Sequence, residues 1–108
     1  MTHRKSKRLP IRVSFAVLVR YRVGREDLVD FAEESFVRIL PLLKKASGFK
    51  RLLVLRDAFN LEFVDILTEW ENFDAFQRFT ERRRKEVSPA TPHTVLEKCV
   101  YQAVELVD

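Results

Sequence analysis

From Val13 to Val23 apolar residues fall at every second position, the period of an extended strand. Val13, Phe15, Val17, Val19 and Tyr21 point one way, and Arg12, Ser14, Ala16, Leu18, Arg20 and Arg22 point the other. The first row is apolar throughout and requires cover. The second is apolar only at its middle, Ala16 and Leu18, as in a strand whose second face meets another surface over a limited patch. Gly24 ends the run, and the period changes to steps of three and four. Leu28, Phe31, Ala32, Ser35, Phe36, Ile39, Leu40 and Leu43 trace one stripe along a predicted helix from Arg25 to Ser47, about six turns. Its acidic residues (Glu26, Asp27, Asp30, Glu33, Glu34) lie early and Lys44 and Lys45 late, which complements the helix dipole. Pro41 falls inside the stripe and is expected to kink the helix. Gly48 suits the position just past its end.

Phe49 to Arg56 and Leu61 to Trp70 are two further strand-like runs joined by the turn-like "DAFN", and together they predict a hairpin. In the second run Glu62, Val64, Ile66, Thr68 and Trp70 share one face, and Leu61, Phe63, Asp65, Leu67 and Glu69 the other. Phe73, Phe76 and Phe79 then mark a second amphipathic helix with Asn72 as its N-cap. "SPATPH" reads as a linker, and Lys98 to Val107 alternates again as a closing strand. The order βαββαβ predicts an α+β fold: a ferredoxin-like sandwich with two helices on one face of an antiparallel four-stranded sheet. The helices can cover one face only. The other presents Ala16, Leu18, Phe63 and Leu67, which predicts a homodimer whose sheets pack face to face.

Composition narrows the classes. A chain of 108 residues, 46% apolar, fits one folded domain. The net charge is +4, and Arg4, Lys5, Lys7 and Arg8 carry four of the 20 Lys and Arg; the remaining 16 match the 16 Asp and Glu. The basicity therefore belongs to residues 1–10, a disordered tail, rather than to the domain at 11–108. With the domain electrically balanced and no aromatic platform interleaved with Lys or Arg, nucleic-acid binding is not expected. No run approaches the ~20 apolar residues needed to span a membrane, and Arg12 and Arg20 bracket too short an apolar run for a signal peptide. One Cys, Cys99, cannot form an internal disulfide; a buried thiol in a reducing, cytoplasmic setting is expected. Two His and one Cys show no metal-ligand spacing, and two Gly allow no phosphate loop.

A Gly after the first strand, "LPLLKKASGFKRLLVLRD" with its mid-helix Pro and helix-ending Gly48-Phe49, and "LTEWENFDAFQRF" with Glu69-Trp70-Glu71 resemble the antibiotic biosynthesis monooxygenase (ABM) family of dimeric α+β barrels. The likeness runs from about Val13 to Val104. It implies a dimer with a pocket in each protomer between helices and sheet. It also implies an activity, cofactor-independent oxidation of a small aromatic, quinol-like or polyketide-type compound by molecular oxygen, with no metal, flavin or haem. The substrate's phenolate or carbanion supplies the electrons, so the protein has to bind a flat aromatic, assist deprotonation and exclude water. Carried onto this sequence, the pocket holds Val17, Val19, Tyr21, Phe36, Thr68 and Phe76, with Trp70 and His93 as the candidate catalytic residues. A haem-degrading branch shares Trp70, but its Asn on the first strand is replaced near Val17 and its second-helix His has no counterpart in residues 71–92.

Each candidate has a plainer role. Trp70 fits a core ring closing the gap between the third strand and the second helix. Tyr21 fits a strand-end ring with a wet hydroxyl, and His93 a solvated loop residue, although His alone has an ordinary pKa suited to proton abstraction near neutrality. Glu62 near a strand end is expected to reach water. "ERRRKE", Glu81 to Glu86, has the charge to grip an anionic substrate, and its plainer role is a solvated helix end whose cations the dipole favours. The alternative to an enzyme is a non-catalytic ligand-binding or assembly module of the same fold.

Overall fold

The computed structural model describes residues 9–86 and 94–107. Strand β1 (Ile11–Arg22) leads into a helical path of four segments: a 3-10 turn (Arg25–Asp27), α1 (Leu28–Glu34), a π-helical stretch (Ser35–Ile39) and α2 (Leu40–Lys44). Strands β2 (Phe49–Arg56) and β3 (Phe63–Trp70), helix α3 (Phe73–Glu86) and strand β4 (Thr94–Leu106) follow.

Pro41 explains why the expected six-turn helix is not uniform. It cannot donate to the carbonyl four residues back, and its ring crowds that carbonyl. The ladder widens just before it: the Leu40 N–H donates to the Ser35 carbonyl, five residues back. The buried Ser35 hydroxyl donates in turn to the Phe31 carbonyl at 2.9 Å, a further bond that loosens the local ladder. The predicted kink is therefore a π-bulge that keeps the path helical. At the other helix, Asn72 caps as expected, its Oδ1 accepting the Ala75 N–H at 2.9 Å.

The sheet has four antiparallel strands in the order β2-β3-β1-β4. Val17 faces Thr68 and Val100 on its two sides, and Leu18 faces Leu67 and Cys99. β3 begins at Phe63, two residues later than expected. Asp57 Oδ1 accepts the N–H groups of Phe59 and Asn60 at 2.8 and 3.0 Å, and Asn60 Oδ1 accepts that of Glu62, so Leu61 and Glu62 belong to the turn. β4 begins at Thr94, four residues earlier than expected, because β1 offers ladder partners as far as Arg22.

The core lies between the sheet and the helices in two clusters. Val17, Leu43, Trp70 and Ala75 form one, and Val23, Phe31, Val64 and Ile66 the other. Gly48 lets α3 approach closely: its φ is +88°, and a Cβ there would lie 2.6 Å from the Ala75 Cβ. The Gly48 carbonyl also accepts the Glu71 N–H at 2.8 Å, fixing the start of α3 on the loop.

On the opposite face Ala16 is buried by its neighbours, while Leu18, Phe63 and Leu67 are half-buried. Ion pairs surround them: Arg20 to Asp65 at 2.8 Å, Arg51 to Glu69 at 2.8 Å and Arg12 to Glu105 at 3.2 Å. Cys99, expected to be buried, is only half-buried, because β4 is an edge strand. Val13 corrects a second expectation. It lies on the row that required cover, yet it is 49% exposed, as are Ile11, Val104 and Leu106 on the same side by similar fractions. The ribbon of β1 and β4 runs past the helices. The radius of gyration accordingly reaches 16.5 Å, where a compact chain of this length has about 13 Å.

Candidate functional site

Alternation along β1 and β3 sends Val17, Val19, Tyr21, Thr68 and Trp70 to the helix side, where α3 meets them with Phe76 and Phe79 at helical spacing. Trp70 is the centre of this wall and is 1% exposed. The rings of Phe49, Phe76 and Phe79 surround it at centroid distances of 5.5, 5.8 and 5.4 Å. Its indole N–H donates to Thr68 Oγ1 at 2.9 Å, two residues back on the same strand face. That satisfies the one polar atom of a buried indole and leaves the ring as a rigid backing for Phe76.

Val19 packs against the same cluster, and Tyr21 lies one cluster further along β1, its ring 5.3 Å from that of Phe31. Burial pushes the Tyr21 hydroxyl above its ordinary pKa, and the positive charge of Arg83 opposes that shift. At neutral pH the hydroxyl is a protonated donor. Phe36 stands apart from these residues. It is 42% exposed and belongs to neither cluster. With Leu28, Val29, Ala32, Glu33 and Val54 it lines an apolar groove of about 330 Å³ between α1 and β2. The π-helical stretch, which alters the phase of the stripe midway, carries Phe36. His93 lies outside the described residues. Glu62 is exposed at the hairpin end, accepting from Arg22 at 3.1 Å.

The structure adds residues that the chain order did not suggest. Lys98 Nζ sits 5.2 Å from the centre of the Phe76 ring. Val100, opposite Val17, shares the helix-facing side of β4 and is 45% exposed. The helices thus leave a flank between α3 and β4 with an aromatic wall on one side and an apolar strand on the other. Alternation in β4 was visible in the sequence, but its register against β1 was not. Among the described residues no group of three or more His, Cys, Asp or Glu is placed to hold a metal ion. The positions associated with haem degradation hold Val17, which is buried in the core, and an α3 that contains no His.

Neither a protein-family model nor a curated protein matches the chain. Solved structures do. A variant of SnoaB, a cofactor-independent oxygenase from Streptomyces nogalater, superposes with a TM-score of 0.57 at 19% identity, covering 83% of this chain and 92% of that one. A heme-degrading protein from Mycobacterium tuberculosis superposes at 0.55 with 18% identity, covering 82% and 90%. A dimeric ferredoxin-like protein from an uncultured marine organism superposes at 0.58 with 14% identity, covering 90% and 91%. The chain therefore has the ferredoxin-like α+β fold that the order of its elements predicted.

Proposed function

We propose that the chain is a cofactor-independent monooxygenase acting with molecular oxygen on a small aromatic, quinol-like compound held on the helix-facing side of the sheet. The observation that supports the reading is the flank of Val19 and Phe76, backed by the fixed Trp70 ring, with the protonated Tyr21 hydroxyl in the neighbouring cluster further along β1. A flat ring set against Phe76 and the exposed Val100 is shielded from water on two sides. The Tyr21 hydroxyl donates a hydrogen bond to the phenolate oxygen of the substrate and so favours its electron-rich, deprotonated form. His93 is the proton acceptor in this reading. The substrate then reduces oxygen directly: a methylene carbon becomes a carbonyl, one oxygen atom is retained and the other leaves as water.

The working unit in this proposal is a homodimer through the open sheet face. Leu18, Phe63 and Leu67 form an apolar centre around Ala16, with Leu55 41% and Tyr101 50% exposed beside it, inside a rim of paired charges. An apolar centre with a polar, charge-matched rim is how protein interfaces are built. A dimeric neighbour of the same fold supports the arrangement.

Oxygen uptake with a panel of anthrones, quinols and naphthols in metal-stripped buffer tests the activity. The expected result is uptake above autoxidation that falls at least tenfold, ~1.4 kcal/mol of barrier, in Tyr21→Phe and His93→Ala variants of unchanged melting temperature. Uptake no higher than the protein-free blank across the panel would sink the oxygenase reading. It would leave the binding or assembly module, for which saturable quenching of Trp70 fluorescence by the same compounds is the positive signature.

A further inference from the structure

The run that reads as a solvated helix end meets a second basic element in space. Arg78, Arg82 and Arg83 of α3 and Lys45 at the end of α2 line a groove of about 340 Å³ whose apolar part is Leu42, Ala46, Ala75 and Phe79. Arg78 and Arg82 are one helical turn apart on the same face, a like-charge pair that disfavours the helix by a few tenths of a kcal/mol. One carboxylate answers them: Asp74 accepts from Arg78 at 2.6 Å. Lys45 and Arg82 have no carboxylate within ion-pair distance among the described residues. The Arg83 guanidinium lies 5.4 Å from the centre of the Phe79 ring, closing one side of the groove. Elsewhere on the domain Arg12, Arg20, Arg22, Arg38 and Arg51 each have an acidic partner, and Arg56 donates to the Arg25 carbonyl at 2.7 Å. What distinguishes this groove is the convergence of cations from α2 and α3 on one concave surface.

We propose that this groove binds a small phosphorylated molecule, with Lys45, Arg78 and Arg82 holding the phosphate oxygens and Phe79 supporting the apolar body. A single carboxylate needs one guanidinium. Cations converging from two separate elements suit a group with two or more negative charges, and the planar arginine fork matches phosphate oxygens. The volume lies in the range of small-molecule sites, and an apolar floor with few polar groups at one side is how such sites orient a ligand. The groove shares Arg83 with the surroundings of Tyr21, but the proposal does not depend on the oxygenase reading.

Calorimetric titration of the full chain with pyrophosphate at about 0.1 M salt, where charges beyond ~10 Å are largely screened, tests the proposal. Acetate and a single-stranded RNA oligonucleotide serve as comparison ligands. The expected result is saturable binding of one pyrophosphate per chain, weakened at least tenfold by Arg82→Gln or Lys45→Gln. It should be unchanged by Arg38→Gln, and unchanged when Arg4, Lys5, Lys7 and Arg8 are all replaced by Gln. Melting curves confirm that each exposed-site variant folds. Non-saturable heats, equal affinity for acetate, or binding insensitive to Arg82 and Lys45 would mean a solvated helix end only. Loss of binding with the tail substitutions would assign the anion to the tail, and RNA binding at least tenfold tighter through the same arginines would make the groove a nucleic-acid surface; either result overturns the proposal.

Discussion

Replacing Trp70 by alanine removes the ring on which three phenylalanines rest. The indole is 1% exposed, its neighbours lie 5.4–5.8 Å away between centroids, and its N–H is bonded to Thr68. Truncation of a fully buried aromatic residue costs about 3–5 kcal/mol through lost transfer energy and the cavity left behind. The upper part of that range applies here, because Phe49, Phe76 and Phe79 come from two different elements and cannot all collapse into one void. The lost indole hydrogen bond, about 0.5–1.5 kcal/mol, is part of that truncation cost, so ~4–5 kcal/mol is expected against a total stability of ~5–15 kcal/mol. For a domain of this size the melting temperature should fall by roughly 16–25 °C. Trp70→Phe keeps a ring in the wall and should cost only ~1–2 kcal/mol. Urea titrations followed by circular dichroism read both variants, with equal m values as the check that unfolding remains two-state. A loss below ~1 kcal/mol for Trp70→Ala would refute the view that Trp70 organises the core between β3 and α3.

Other expectations follow from single contacts. Gly48→Ala should destabilise by about 1–3 kcal/mol, because it forces a Cβ onto a positive φ and against Ala75, whereas Gly24→Ala, at φ −55° and facing only the end of the Asp27 side chain, should stay within ~0.5 kcal/mol in the same urea assay. Asn72→Ala removes the α3 cap and should lower stability by about 1 kcal/mol, with Asn72→Asp restoring most of it. The Asp57 carboxyl is held below its ordinary pKa by the N–H groups of Phe59 and Asn60 and by Arg20. Its folded pKa is the lower one, so its contribution is present above the unfolded value and lost as pH falls through the folded value. Urea midpoints measured from pH 7 down to about pH 3 should fall less steeply in Asp57→Asn than in the parent. Leu67→Arg places like charges opposite each other across the proposed dimer; sedimentation velocity should show the parent as a dimer at micromolar concentration and the variant as a monomer, and a monomeric parent would contradict the interface.

Much of the frame could be read from the chain, because it depends on local rules. Strict alternation assigned Val17 and Thr68 to one face and Leu18 and Leu67 to the other, and the observed ladders pair them so. The bounds of β2, the Asn72 cap and the glycine after α2 were legible for the same reason: each requires only a few neighbouring residues. The family resemblance implied one pocket for Trp70 and Phe76, but neither it nor periodicity said that Phe79 would join them or that Thr68 would take the indole N–H.

What only the tertiary structure decided is where those faces lie relative to one another. Val13 belongs to the row that asked for cover, yet a helix covers a strand only where the two overlap, and the β1–β4 ribbon runs beyond that overlap. Phe36 shares the periodic stripe of Phe31, but the helix changes to a π-geometry before Pro41, and Phe36 stays 42% exposed in the groove between α1 and β2 while Phe31 is buried. Lys45 and Arg82 are far apart in the chain, so no spacing rule joins them. Their meeting in one groove depends on how α2 and α3 pack, with Gly48 allowing the close approach to Ala75. Alternation and capping are short-range and survive in a string of residues; overlap, register and convergence of charge are relations between distant segments and exist only once the chain has folded.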